Sequence, residues 1–349
     1  MDRRDFMTRA GVVGAAVALT GRAAAQAQDA ATRIPQTVEI HPSWLSWVTA
    51  VEGCLRALGV ECDNVDVAGH SGYAFHMCIS TVAGVEGPTT LPWSDLAVGA
   101  RMLGRSTTEF EMGPSGEPPD WQGGEQECFA LARREVDAGR PCVMWGTGIP
   151  EFGIIVGYEG DEVLYRWAGK PDESRVRCGA LQDPGGPYLL MFPSTTSVAE
   201  VVRDRAALAN ALSFLHRRSD GAQYRYGLEA YDQWIAALQG KRATGFGNSY
   251  CAQCFNNAKE YCRDFVSRLA QRNAHAADPL GEALVAYEEC ALGMSRVAQS
   301  FPFPGPEKED VQDEAAIQAA CEALAAAHEA EARAAEALEQ ALAVTWPEP

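Results

Sequence analysis

Apolar side chains recur every three or four positions from Trp44 to Leu58, where Leu45, Val48, Val51, Leu55 and Leu58 share one stripe. That spacing predicts an amphipathic helix, and Gly59 supplies its stop. Two further helices are expected, in LPWSDLAVGARMLG ending at Gly104 and in GGEQECFALARREVDAG closed by Gly139. Short apolar runs bounded by Gly, Pro and Asp lie between and after them. AFHMCI, STTEFEM, PCVMW, FGIIVGY, EVLYRW and PYLLMF read as strands. Early helices, a loop-rich middle and a late antiparallel meander predict an α+β domain over residues 36–195.

The pattern changes at residue 197. No strand periodicity follows, and helices are expected at 198–217, 223–239, 249–273, 279–299 and 311–344. FPFPGPEKED is a Pro-rich linker before the last of them. In that last helix Ile317, Cys321, Leu324, His328, Ala335, Leu338 and Leu342 share one Ala-rich stripe. Such a stripe suits close helix packing, so residues 197–345 are expected to form a helical domain.

The first residues change the picture of where the protein works. Arg3 and Arg4 stand directly before the apolar run AGVVGAAVALTG, and Ala25-Gln26-Ala27 follows. These features read as a twin-arginine export signal over residues 1–27, cleaved after Ala27. The run is shorter than the roughly 20 apolar residues a spanning helix needs. The protein is therefore expected to meet the twin-arginine export machinery and to act in the periplasm or outside the cell. Its net charge of −18 argues against nucleic-acid binding. The chain has eleven cysteines, an odd count that leaves at least one unpaired within it.

The candidate chemistry begins at Gly69-His70-Ser71-Gly72, one residue away from the G-x-S-x-G of a nucleophile elbow. An elbow needs glycine two residues after the serine, and a strand before it. Tyr73 holds the glycine position, and a strand is expected after the motif, not before it. The segment reads instead as a Gly-bracketed loop that presents Tyr73 and Phe75 to a core or pocket.

The helix TAVEGCLRALG, then GHSGYAF, then AGRPCVMWGTGIPEFGIIVGYEGDEVLYRW, resembles over residues 40–195 the N-terminal domain of the butirosin-biosynthesis acyltransferase family. More distantly it is similar to the papain-like peptidases that process bacteriocin leaders. The resemblance implies a papain-like fold in which a cysteine on the first helix meets a histidine on a central strand. This chain departs from that pattern at each position. Glu151 stands where the histidine would be, and Tyr165-Arg166-Trp167-Ala168 offers no carboxylate or amide to orient one. Cys54 lies late in its helix, and Ser46 or Thr49 is nearer the start, where the helix dipole would act.

The expected function is that of a papain-like protein with a degenerate triad, binding a small molecule or peptide between the GHSGYAF loop and the GIPEFG turn. Its binding residues would be Ser46, Ser71, Tyr73, Phe75 and Phe152. The alternative is an acyltransferase or amide hydrolase using Cys54 or Ser46 with His70 or Glu151. A third reading is a metal or redox protein built on Cys251-x-x-Cys254. Zinc sites place a second pair about 12 to 20 residues on, whereas here Cys262 follows alone and Cys290 much later. No cofactor is expected. The cluster reads as a buried stripe or a structural disulfide, with Cys262–Cys290 as the candidate bridge.

Overall fold

The computed structural model describes residues 31–111, 121–182, 186–219, 221–307 and 309–348. The expected export signal, residues 1–27, lies outside them. In chain order the elements are β1 (Thr32–Arg33), α1 (Ser46–Ala57), α2 (Asn64–Ser71), β2 (Cys78–Ser80), α3 (Trp93–Ala100), β3 (Thr108–Glu111) and α4 (Trp121–Asp137). Then follow β4 (Cys142–Trp145), β5 (Phe152–Glu159), β6 (Glu162–Trp167), β7 (Lys170–Arg177), β8 (Tyr188–Met191) and α5 (Glu200–Leu215). The rest are β9 (Tyr224–Tyr226), α6 (Glu229–Gln239), α7 (Gly245–Arg272), α8 (Ala277–Ser300) and α9 (Glu314–Ala343). The protein is thus α+β, with an antiparallel sheet and a helical C-terminal region.

The chain divides into two compact units. One comprises the chain up to Glu61 with Arg105–Thr195, and the other comprises Cys62–Gly104 with Thr196–Pro349. This differs from the boundaries expected from the sequence. Residues 62–104 group with the C-terminal helices, because their apolar side chains are covered by α5 and α7.

The sheet unit carries the strands in the order β3-β8-β4-β5-β6-β7, with β1 paired to the end of β5. Every pairing in it is antiparallel. All residues of β4 and the first six of β5 are buried, so both faces of the sheet centre are covered. α1 lies against β5 closely enough that a Cβ on Gly53 would meet the Ile154 side chain at 2.6 Å. Gly59, at φ +80°, ends α1, and the Val60 N–H donates to the Leu55 carbonyl at 3.0 Å. Gly139, at φ +72°, ends α4 in the same way through the Arg140 N–H and the Glu135 carbonyl. Both expected stops hold. β7 was not expected: its KPDESRVR is charged and mostly exposed, as suits a sheet edge.

In the helical unit the segment expected to be a loop and strand is something else. Residues 64–71 form α2, opened by a capping box between Asp63 and Asp66. Gly72, at φ +80°, caps its C-terminus, and a 3-10 turn at Tyr73–Phe75 follows. Only Cys78–Ser80 is strand, and it pairs with β9, which sequence periodicity did not show. Three half-exposed residues are too few to display a period, and their partner lies far away in the chain. No helix among the described residues is long and apolar enough to cross a membrane.

Candidate functional site

In the sheet unit the first turn of α1 meets the start of β5. Leu45 is the N-cap and no side chain caps the helix. The Leu45 N–H instead donates to Ser43 Oγ at 3.0 Å. Ser46 Oγ accepts the Phe152 N–H at 3.3 Å. Phe152 lies opposite Trp145 across the β4–β5 hairpin, with ring centroids 4.8 Å apart, and meets Tyr188 edge-on at 6.1 Å. The Tyr188 hydroxyl donates to Glu109 at 2.8 Å. Gly146 N–H donates to the Glu151 carbonyl at 3.0 Å, which closes the turn leading into β5. Ser46, Glu151 and Phe152 are therefore held together at one end of the sheet, each at most 5 % exposed.

Cys54 is not part of this group. It lies two turns further along α1 and is fully buried. Burial, followed by the charge of Glu52, pushes its thiol pKa well above the ordinary value. A thiolate is correspondingly disfavoured there.

His41 is the sheet unit's one histidine. Its Nδ1 lies 2.8 Å from Oε1 of the fully buried Glu52, and Arg56 Nε lies 3.3 Å from the same oxygen. Neither residue was a sequence candidate. The legible signal was Glu52 itself, a carboxylate inside a helix whose neighbours are apolar.

His70, Ser71, Tyr73 and Phe75 belong to the other unit, where they are interior rather than the wall of a cleft. The His70 ring meets Phe265 edge-on at 4.9 Å. The Ser71 hydroxyl donates to the Ala68 carbonyl and accepts the Tyr73 N–H, both at 3.3 Å. The Tyr73 hydroxyl donates to the Pro88 carbonyl at 2.8 Å, and Phe75 packs on Phe265 and Tyr287. These side chains are buried because α2 and its following turn lie directly on α5 and α7.

The cysteines of α7 are core residues. The Cys251 thiol donates to the Gly84 carbonyl at 3.2 Å, and burial pushes its pKa well up. Cys254 is fully buried. Cys262 and Cys290, expected as a bridge, are separate thiols. Cys262 turns to the Ala74 carbonyl at 3.0 Å and Cys290 to the Tyr231 hydroxyl at 3.5 Å. Among the described residues no group of three or more His, Cys, Asp or Glu side chains could hold a metal ion.

Between the helices lies a polar network that sequence reading missed. Lys259 Nζ on α7 stands 2.5 Å from Glu331 Oε1 on α9, both fully buried. The Tyr231 hydroxyl on α6 donates to Glu331 Oε2 at 2.7 Å. Burial works to lower the lysine pKa, but the Glu331 carboxylate and the Cys262 and Cys290 thiols outweigh it and leave it raised. The signal was positional: Lys259 keeps register with Phe255, Cys262 and Val266, and Glu331 with Leu324, Ala327 and Leu338.

No protein-family model matches the chain, and no curated protein is significantly similar to it.

Proposed function

We propose that the protein is an exported, catalytically degenerate relative of the papain-like acyltransferases and peptidases that binds a small molecule or peptide. The observation that carries this reading is the contact of Ser46 Oγ with the Phe152 N–H. It brings the first turn of a buried helix to the start of the central strand, the meeting point that the family resemblance implies for thiol and imidazole. Here the helix supplies a hydroxyl, the turn before the strand supplies Glu151, and the strand's first residue supplies an aromatic ring tilted against Trp145 and edge-on to Tyr188. The export part rests on the Arg3-Arg4 pair, the apolar run and Ala25-Gln26-Ala27.

The thiol version of the catalytic alternative is disfavoured by the burial of Cys54 and its raised pKa. The metal or redox reading loses support because the Cys251 thiol is buried and bonded to a carbonyl.

Two measurements test the proposal together. At neutral pH iodoacetamide should label no thiol other than the partly exposed Cys178 and Cys321, and those slowly, and a fluorophosphonate should label no serine. Thermal-shift screening with short peptides and amino-acid amides should give ligands whose shift is lost in Glu151→Gln. Rapid labelling of one serine or cysteine would overturn the non-catalytic reading.

A further inference from the structure

Two of the six histidines lie deep in the helical unit, on one continuous stretch of chain. His70, near the end of α2, is 2 % exposed, and its Nδ1 has no hydrogen-bond partner among the described residues. His76, just after the 3-10 turn, is 1 % exposed, and its Nε2 likewise has none. A buried polar nitrogen without a partner costs on the order of 1–3 kcal/mol, so such a pair calls for an explanation. We propose that residues 64–77 are an acid-released latch, seated on α5 and α7 while both imidazoles are neutral and unseated when they take up protons.

The surroundings offer an imidazolium no counter-ion. His70 faces Arg203 and Asp204 from α5 and Arg268 and Arg272 from α7. Asp204 is occupied by the Arg272 guanidinium at 2.9 and 3.0 Å and by Asn273 at 2.9 Å. Arg268 is held by Asp63 and Asp66. His76 faces Arg217, just past α5, and Lys259 of α7, while the Gly87 backbone bonds to its ring. Arg217 is bound to Asp95 of α3, and Lys259 to Glu331 of α9. Phe265 packs on His70, and Phe214, Tyr73 and Tyr226 pack on His76; none of these rings carries a charge, and the Tyr73 hydroxyl is committed to the Pro88 carbonyl. A proton added at either site would sit in a dry pocket among cations whose carboxylates are already paired.

Burial first, then the neighbouring cations, lowers both pKa values from 6.5 to about 3. The latch's contribution to stability is complete above pH 6.5 and falls as the pH drops towards 3, because only the released segment binds the two protons. The other four histidines do not share this setting. His41, His216 and His328 are partly exposed and stand beside Glu52, Glu339 and Asp232, and His275 is exposed.

Hydrogen–deuterium exchange of the full chain between pH 6 and 4.5, corrected for the intrinsic rate, tests the latch. The opening constant of peptides within 64–77 should rise about 100-fold per pH unit as the pH falls, the signature of two protons. In His76→Leu the slope should drop to about tenfold, and in the His70→Leu/His76→Leu double variant it should vanish. A pH-independent opening, or a slope that survives in the double variant, overturns the proposal. If the variants fail to fold, imidazole NMR of the unaltered protein decides: both rings should stay neutral at pH 4.5 in the closed form. A closed form with either ring protonated overturns the latch.

Discussion

Lys241 adopts φ +53°, in the left-handed region that glycine enters without strain. It does so because α6 ends there: the Lys241 N–H donates to the Leu238 carbonyl and the Arg242 N–H to the Ala237 carbonyl, both at 2.9 Å. α1 and α4 close on the same kind of bonds, but with Gly59 and Gly139 at the corresponding place. Those two stops could be read from the chain, since glycine announces a left-handed cap. The third end is expected at 239 as well, but its left-handed residue was not legible, because Gly240 keeps φ −74° and the lysine after it makes the turn. Lys241→Gly should raise stability by about 0.5 kcal/mol. The strain relieved exceeds both the extra flexibility of the unfolded chain and the loss of the exposed pair with Glu314, which is worth little. Urea unfolding checks this, with a higher midpoint expected.

Among the elements, α2 shows what apolar pattern alone does not decide. VDVAGHSGYAFHMCI contains apolar residues in runs too short to separate a strand from a buried helix. The deciding feature was Asp63 with Asp66, a capping box built from two aspartates. Gly69 then lets α2 approach α7: a Cβ there would fall 2.2 Å from the Phe265 ring. Gly69→Ala should therefore destabilise by about 1–3 kcal/mol, even though alanine is the better helix former. Calorimetry would show the lowered melting temperature.

A buried charge pair links α7 to α9. Glu331→Gln would leave the Lys259 ammonium buried without its carboxylate, a loss of about 3–5 kcal/mol. Replacing both, as Lys259→Met with Glu331→Leu, should cost less than the single change, because no uncompensated charge remains. Denaturant unfolding of the two variants distinguishes a pair that must be kept whole from one that contributes by itself.

Across the whole molecule, the class of fold was legible, and the grouping of residues 62–104 with the C-terminal helices was not. The strands PCVMW, FGIIVGY, EVLYRW and PYLLMF became β4, β5, β6 and β8 of one antiparallel sheet, and the C-terminal helices formed. Periodicity reports which residues want a dry neighbour but not which neighbour they obtain. His70, Tyr73 and Phe75 therefore looked available to a cleft, although α5 and α7 cover them. In the candidate site, Ser46, Glu151 and Phe152 could be placed because each borders a recognisable helix or strand. His41 with Glu52 could not, since their meeting depends on how the segment before α1 folds back.

The interleaving of the two units has a consequence for biosynthesis. Residues 62–104 are made early, yet the helices that cover them begin only at Glu200. A nascent chain must carry Tyr73, Phe75 and Met77 uncovered while the intervening strands of the sheet unit are still being added. A chain stopped after Thr195 would keep them exposed for good. Closure of the helical unit therefore waits for its last helix, since α9 carries the Glu331 carboxylate that pairs with Lys259.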